Sequence, residues 1–201
     1  LKNNFAEYKE KKNSIEAAIY SIALNAKESE KNYQLSKKLN FTAIKSFCKL
    51  AKKYNIKKLI KLSTVKVYGN QPNFTINEKS KINPKDNYSK HISYADKYLE
   101  NFCKKNKIKY HILRVSNGFG KPSINSEEAK KVLVNSFVIQ ALKKNEIKIK
   151  TKRDINKNFI SIKDVVSCLN FLISKNFAPS GIYMLSGNKN ISLFQLALEV
   201  R

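Results

Sequence analysis

Two hydroxyl side chains stand at the end of a predicted strand. The apolar run at residues 56–62 is typical of a buried β-strand, and Ser63 and Thr64 follow it directly. A loop then leads to Tyr88, which begins a predicted helix. In an α/β sheet, ligands bind at the carboxyl ends of the strands, where a hydroxyl and a phenol could share acid/base work. Spacing alone also fits a plain strand, a turn at Gly69 and a helix that happens to begin with tyrosine.

The length and composition indicate a globular domain that is large enough to bury a hydrophobic core. The chain has 201 residues, of which 42% are hydrophobic and 10% aromatic, so intrinsic disorder is not expected. The sequence has no apolar run near the roughly 20 residues that cross a bilayer, and residues 1–12 lack the apolar core of a signal peptide. We therefore predict a cytoplasmic protein without a membrane span.

The cysteines and histidines do not form a metal-binding pattern. Cys48, Cys103 and Cys168 are isolated in apolar surroundings, and none belongs to a Cys-x-x-Cys pair. His91 and His111 are the only histidines. We predict neither a metal site nor a disulfide framework.

The net charge of +25 raises the question of nucleic-acid binding. Only three of the 40 basic residues are arginine, and the lysines are spread along the whole chain. Nucleic-acid recognition relies on arginine forks as well as lysine. We predict a solvated basic surface that attracts polyanions at low salt, and no specific nucleic-acid partner.

Strand and helix patterns alternate along the first part of the chain. They predict strands over 15–23, 56–64 and 108–115 and helices over 5–12, 35–54 and 88–104, the last capped by Asp86 or Asn87. This order indicates a largely parallel sheet covered on both faces. Beyond it we predict helices over 127–145, 163–174 and from Ser192 onward, with strands over 147–150 and 181–185.

Five segments, taken in order, resemble the extended short-chain dehydrogenase/reductase superfamily of nucleotide-sugar epimerases, dehydratases and reductases. They are the strand at 17–23, Asn40 in Asn-Phe-Thr-Ala, Ser-Thr-Val-Lys-Val-Tyr-Gly at 63–69, Arg-Val-Ser-Asn-Gly-Phe-Gly at 114–120, and residues 158–165. The resemblance covers the whole chain. It implies a partial NAD(P)-binding Rossmann domain over residues 1–115 and a substrate-binding region over 116–201.

The resemblance also implies the roles of individual residues. Tyr88 would be the acid/base with Thr64 as its polar partner. Cofactor contacts would come from Ala23, Asn40, Ser63 and Tyr88, with NAD or NADP as cofactor, and substrate contacts from Thr64, Asn117 and Lys157. A homodimer through the helices at 35–54 and 88–104 is implied as well. Thr64 could instead satisfy backbone groups at the strand end, and Asn117 could be a turn residue.

The activity that this resemblance implies is epimerase or reductase chemistry on a nucleotide-activated sugar, for surface polysaccharide. Dehydratase relatives place an Asp-Glu pair directly after the threonine, where this chain has Val65 and Lys66. Sugar dehydration is therefore disfavoured.

One departure concerns the lysine expected four residues after the tyrosine, which lowers the pKa of the phenol. Ile92 stands there. His91 lies on the same helix face as Tyr88 and could partly replace the lysine as a catalytic residue. Alternatively, Ile92 extends the apolar core of a non-catalytic member that binds a sugar nucleotide or a protein partner. A third alternative is a lysine supplied from elsewhere in the fold.

A second departure concerns the phosphate-binding turn. Members of this superfamily open with a glycine-rich turn, whereas the first of the five glycines here is Gly69. We predict an N-terminally truncated fragment that lacks the first strands of the fold.

Overall fold

A computed structural model describes residues 15–69, 75–122, 126–149, 151, 154–174 and 178–201. The predicted helix over 5–12 lies outside the described residues. The chain forms two compact units, one from residues 1–114 and 171–184 and the other from 115–170 and 185–201. Residues 171–184 belong to the first unit, and the predicted substrate-binding region over 116–201 stays a prediction.

The described strands, in chain order, are β1 (Ala17–Tyr20), β2 (Lys58–Thr64), β3 (Lys109–Val115), β4 (Asn117–Phe119), β5 (Asn156–Ser161), β6 (Gly181–Leu185) and β7 (Asn190–Ser192). The α-helices are α1 (Ala26–Lys31), α2 (Tyr33–Ser36), α3 (Ala43–Lys53), α4 (Asn87–Asn106), α5 (Glu127–Lys130), α6 (Leu133–Lys144), α7 (Ile162–Ser174) and α8 (Leu193–Val200).

The first unit contains the predicted parallel α/β sheet. Its four strands lie in the order β1-β2-β3-β6 and are flanked by helices. β1 and β2 are parallel, with Ala17 opposite Lys58 and Tyr20 opposite Lys61. β3 and β6 are neighbours in the sheet but not in the sequence, so the chain makes a long crossover between them.

One face of this sheet packs against α3 and α4. Leu59 and Ile112 from the sheet and Leu99 from α4 are fully buried there, as are Cys48 and Cys103. Burial raises the pKa of both thiols to about 12, so neither is a reactive thiolate near neutral pH. These two cysteines belong to the hydrophobic core.

The predicted helix over 35–54 is interrupted by a π-helical turn. Residues Lys37–Thr42 form that turn between α2 and α3, and Asn40 is fully buried within it. A π-helical turn inserts an extra residue into the helix and rotates the side chains that precede it. Asn55, which follows this helix, adopts a left-handed conformation with φ of 56°.

The helix that carries Tyr88 begins where the sequence predicts. The Asp86 side chain accepts a hydrogen bond from the Ser89 backbone nitrogen at 2.7 Å, and Ser89 completes a capping box. On the loop before it, Gly69 has φ of 68°, and a Cβ at this position would collide with the Asn83 carbonyl. A glycine is therefore required where the chain leaves the end of β2.

The second unit contains a small mixed sheet in the order β4-β5-β7, with β4 parallel and β7 antiparallel to β5. The predicted helix over 127–145 is two helices, because Val132 is extended with ψ of 138°. The predicted strand over 147–150 is wrong for its described residues 147–149, which form no regular element. Ser192 caps α8 as expected, accepting from the Gln195 nitrogen at 3.1 Å.

Among the described residues, no helix has the combined length and hydropathy needed to span a membrane.

Candidate active site

Thr64 and Tyr88 meet at the carboxyl end of β2. Thr64 is the last residue of that strand and is only 9% exposed. Its hydroxyl oxygen accepts the Lys66 backbone N–H at 3.2 Å, and its side chain forms a hydrogen bond with Tyr88. Since the threonine oxygen already accepts, its hydroxyl proton is free to donate to the phenol oxygen. The fold brings these two side chains together, and their roles as acid/base and polar partner stay predictions.

The surroundings of Tyr88 keep its phenol protonated. Burial raises the pKa of Tyr88 above 10.0, and the negative charges of Asp86 and Asp96 raise it further. The Thr64 hydrogen bond acts in the opposite direction, because a hydroxyl that donates to the phenol oxygen stabilises the phenolate. In this state Tyr88 can donate a proton, and it needs a nearby cation to accept one efficiently near neutral pH.

Ile92, four residues after Tyr88, is apolar and provides no positive charge at that position. It is 2% exposed and packs in an apolar cluster with Val67 and Tyr68, against which Tyr88 also packs. The ammonium nitrogen of Lys66 lies over the Tyr88 ring, 5.6 Å from its centroid.

A buried ion network centred on Asp96 lies beside this pair. The Lys61 ammonium contacts Asp96 Oδ1 at 2.8 Å, and Arg114 Nε contacts Oδ2 at 3.4 Å. Ser63, a predicted cofactor contact, donates its hydroxyl to Oδ2 at 2.8 Å. Arg114 also donates to the Tyr68 hydroxyl at 2.6 Å. The carboxylate thereby joins β2, β3 and α4 beneath the Thr64–Tyr88 pair.

Sequence reasoning missed this network, although two signals pointed to it. Asp96 follows Ala95 on the apolar face of α4, where a carboxylate must find a partner. Lys61 lies between apolar residues of β2 and is 0% exposed. Buried charges of opposite sign on adjacent predicted elements are candidates for pairing.

Asn40 fixes the backbone that follows β1. Its side-chain oxygen accepts the Leu24 N–H at 2.6 Å, and its nitrogen donates to the Leu24 carbonyl at 3.2 Å. The same nitrogen lies 3.1 Å from the Ser29 hydroxyl. Ala23, the small residue expected beneath a nicotinamide ribose, is exposed directly before this anchored position. Asn40 thus holds the segment containing Ala23 in place.

His91 points toward the π-helical region of the first unit. Its Nδ1 lies 2.8 Å from the Ser36 hydroxyl, and its ring packs edge-on to Tyr33 with centroids 4.9 Å apart. Ser36 in turn accepts from Asn40 at 3.3 Å, so the serine proton can be donated to the imidazole. Burial lowers the pKa of His91 below 6.5, and the charges of Lys90 and Lys37 lower it further. The expected catalytic role of His91 stays a prediction.

The depressed pKa of His91 has a consequence for stability. The unfolded chain, with an ordinary histidine pKa of 6.5, binds more protons than the folded chain as the pH falls through that value. We expect the free energy of unfolding to decrease between pH 7 and pH 5.5, with a smaller slope in His91→Gln. Urea unfolding at a series of pH values measures this slope.

His111 provides a parallel test, because burial lowers its pKa as well. His111→Gln should remove a separate share of the slope, and the double variant should be nearly flat over the same range. A slope identical in the wild type and in all three variants would contradict the assignment.

Two of the three predicted substrate contacts, Asn117 and Lys157, lie in the second unit. Asn117, on β4, donates its side-chain N–H to the Asn158 carbonyl at 2.8 Å, and so supports the pairing of β4 with β5. Lys157 lies on β5 opposite Ile191. Their roles toward a substrate stay predictions.

A parallel sheet with helices on its faces, and a threonine and a tyrosine paired at the end of its second strand, define a Rossmann-type fold of the short-chain dehydrogenase/reductase class. A profile of the NAD dependent epimerase/dehydratase family matches residues 4–185. The chain belongs to this family.

Individual relatives agree with this membership. A dTDP-D-glucose 4,6-dehydratase of Dictyostelium discoideum is 26% identical in an alignment 160 residues long, which covers 74% of this chain and 36% of the relative. The UDP-glucose 4-epimerase of Thermotoga maritima, solved with UDP-glucose, is 20% identical with a TM-score of 0.84, over 99% of this chain and 63% of that structure.

The UDP-glucose 4-epimerase of Thermus thermophilus, solved with NAD, is 19% identical with a TM-score of 0.82, over 99% of this chain and 64% of that structure. The chain therefore spans just over a third of the curated relative and under two thirds of these solved structures.

Proposed function

We propose that the whole protein is an NAD- or NADP-dependent epimerase or reductase acting on a nucleotide-activated sugar, in surface polysaccharide biosynthesis. The observation that carries this proposal is that Thr64 and Tyr88 lie together at the carboxyl end of β2. Family membership supplies the reaction class, since the matching family is described as NAD dependent epimerases and dehydratases. We place the protein in the cytoplasm, where nucleotide sugars are made.

The residues at this strand edge fit the nicotinamide end of the cofactor. Ala23 is small and exposed, and Asn40 fixes the backbone next to it through both polar groups of Leu24. Ser63 and Tyr88 would complete the contacts, although the Ser63 hydroxyl already donates to Asp96. The nicotinamide, when bound, supplies the hydride-transfer chemistry. No residue of this chain is assigned to the pyrophosphate, because the sequence has no glycine-rich turn.

In this proposal, residues of this chain transfer one proton to or from the sugar. Tyr88 takes a proton from, or returns it to, a sugar hydroxyl, and Thr64 stabilises the phenolate through its hydrogen bond. Asn117 would orient the sugar nucleotide, and Lys157 would attract its diphosphate as a point charge without the bidentate geometry of arginine.

The turn after Thr64 favours epimerase or reductase chemistry over dehydration. Val65 and Lys66 occupy the positions at which dehydratases carry an acidic pair. An ammonium cannot remove a proton as a carboxylate can, and the Lys66 nitrogen lies over the Tyr88 ring. The dehydratase similarity of the curated relative therefore supports the family and not the reaction.

Incubation of the full-length protein with a panel of nucleotide sugars tests the proposal. We expect binding of NAD or NADP, followed by conversion of at least one sugar to its epimer or reduced product, with no 4-keto-6-deoxy product. Fluorescence of the reduced nicotinamide and chromatography of the sugars are the measurements. A full-length protein that binds neither dinucleotide would rule the proposal out.

Ile92 favours a second candidate, a non-catalytic member that binds a sugar nucleotide or a protein partner. Its apolar, buried side chain fills the position from which a lysine would activate the tyrosine. This alternative predicts binding of a nucleotide sugar without turnover, so the same panel distinguishes the two.

A homodimer through α3 and α4 also remains part of the proposal, and Tyr94 on α4 is 45% exposed and available to it.

A further inference from the structure

The unanswered question at this site is which cation acts on Tyr88. Burial and the carboxylates of Asp86 and Asp96 oppose the phenolate, whereas the Thr64 hydrogen bond favours it. Ile92 occupies the helix position one turn beyond the tyrosine and is buried among apolar side chains. A base that operates near neutral pH requires a positive charge from another element.

Three other cations near the site are poorly placed for this task. Lys61 and Arg114 both contact Asp96, at 2.8 and 3.4 Å, and Arg114 also donates to the Tyr68 hydroxyl, so both cations are engaged by other groups. Lys90 is exposed and lies two residues after Tyr88, which puts it on nearly the opposite side of the helix.

Lys66 has the required position. It belongs to the short 3-10 turn that follows β2, between Thr64 and the buried pair Val67 and Tyr68. Its backbone N–H donates to the Thr64 hydroxyl oxygen at 3.2 Å, and its ammonium lies 5.6 Å from the Tyr88 ring centroid. One turn therefore delivers both the hydroxyl that donates to Tyr88 and an ammonium over the ring.

We propose that Lys66 is the positioning cation for Tyr88 and takes over the electrostatic role of the lysine that Ile92 replaces. The proposal rests on the proposed function, in which Tyr88 is the acid/base. A positive charge over the ring stabilises the phenolate relative to the phenol. The buried anchors Val67 and Tyr68 hold the lysine backbone, so the charge stays near the ring although the side chain is exposed.

The titration of Tyr88 tests this proposal without substrate or cofactor. The full-length protein is prepared with tyrosine carrying ¹³C at Cζ, and the spectrum of Tyr88→Phe identifies the Tyr88 resonance. For a unit charge at this distance, partly screened by water, we expect Lys66→Met to raise the midpoint by about half to one pH unit. Lys66→Arg should bring the midpoint back to the wild-type value or below it, because a guanidinium keeps its positive charge at the high pH where the phenol titrates.

Lys90→Met is the matched control, since it removes the same charge two residues from Tyr88 but away from the ring. It should leave the Tyr88 midpoint unchanged. If Lys66→Met unfolds before the phenol titrates, Lys66→Gln provides the same loss of charge. An unchanged midpoint in the charge-removing Lys66 variant, or an equal shift in Lys90→Met, would overturn the proposal.

A second readout separates this inference from the proposed function. In a protein that turns over a nucleotide sugar, the rising limb of the kcat/KM profile should move to higher pH in Lys66→Met and return in Lys66→Arg. A protein without turnover still reports the Tyr88 midpoint, so failure of the proposed function leaves the test of Lys66 intact.

Discussion

Replacing Tyr88 with phenylalanine is expected to lower kcat of the full-length protein by about 100- to 10,000-fold, the usual contribution of a positioned acid/base group. The variant removes only the phenol oxygen and its hydrogen bond with Thr64, while the ring keeps its packing near Val67 and Ile92. The thermal unfolding temperature should therefore stay close to that of the wild type. Steady-state kinetics with whichever nucleotide sugar is turned over, together with thermal unfolding, provides the measurement.

Tyr94→Phe is the control for this experiment. Tyr94 lies on the same helix as Tyr88 but is 45% exposed, and the loss of its hydroxyl should leave kcat unchanged. Thr64→Val should have an intermediate effect, because it removes the donor to the phenol but leaves the phenol itself. Turnover by Tyr88→Phe at the wild-type rate would show that another group transfers the proton.

Replacing Asp96 with asparagine is expected to destabilise the protein by ~3–5 kcal/mol, because it leaves the buried ammonium of Lys61 and the guanidinium of Arg114 without their anion. The Asp96 side chain is only 2% exposed, so water does not replace the lost charge. For a chain of this size we expect the unfolding temperature to fall on the order of 10 °C. Urea unfolding at pH 7 measures the free energy directly.

Glu28→Gln makes the same change of charge in an exposed ion pair. Glu28 contacts Lys31 at 3.0 Å, and the two side chains are 44% and 60% exposed. Loss of such a pair should cost less than about 1 kcal/mol. Adding Lys61→Met to Asp96→Asn should recover part of the stability, because one stranded cation is removed. Equal destabilisation by Asp96→Asn and Glu28→Gln would mean that the buried network is not stabilising.

The sequence predicted those parts of the fold that depend on local patterns. The apolar run before Thr64 predicted β2, the polar residue Asp86 predicted the start of α4, and the combination placed Thr64 and Tyr88 at one strand edge. Alternation of strands and helices predicted the parallel sheet. The strand and the helix start are each encoded within a few neighbouring residues, whereas the meeting of Thr64 and Tyr88 was implied by the family resemblance.

The features that escaped prediction depend on contacts between distant residues. Lys61 and Asp96 are 35 positions apart, and they become neighbours only when α4 packs against the sheet. The π-helical turn at Asn40 follows from a side chain that must reach Leu24, 16 positions earlier. The ammonium of Lys66 comes to lie over Tyr88 only because the turn after β2 folds back toward α4. The break between α5 and α6 at Val132 was not predicted because no proline or glycine lies near it.

The first unit draws its fourth strand from far along the chain, since β6 pairs next to β3 after the whole of β4, β5 and α7 has been made. During synthesis on the ribosome, β3 therefore waits with an open, apolar sheet edge until residues 181–185 have left the exit tunnel. Nascent chains halted before that point should bind chaperones and aggregate, whereas chains halted after it should not.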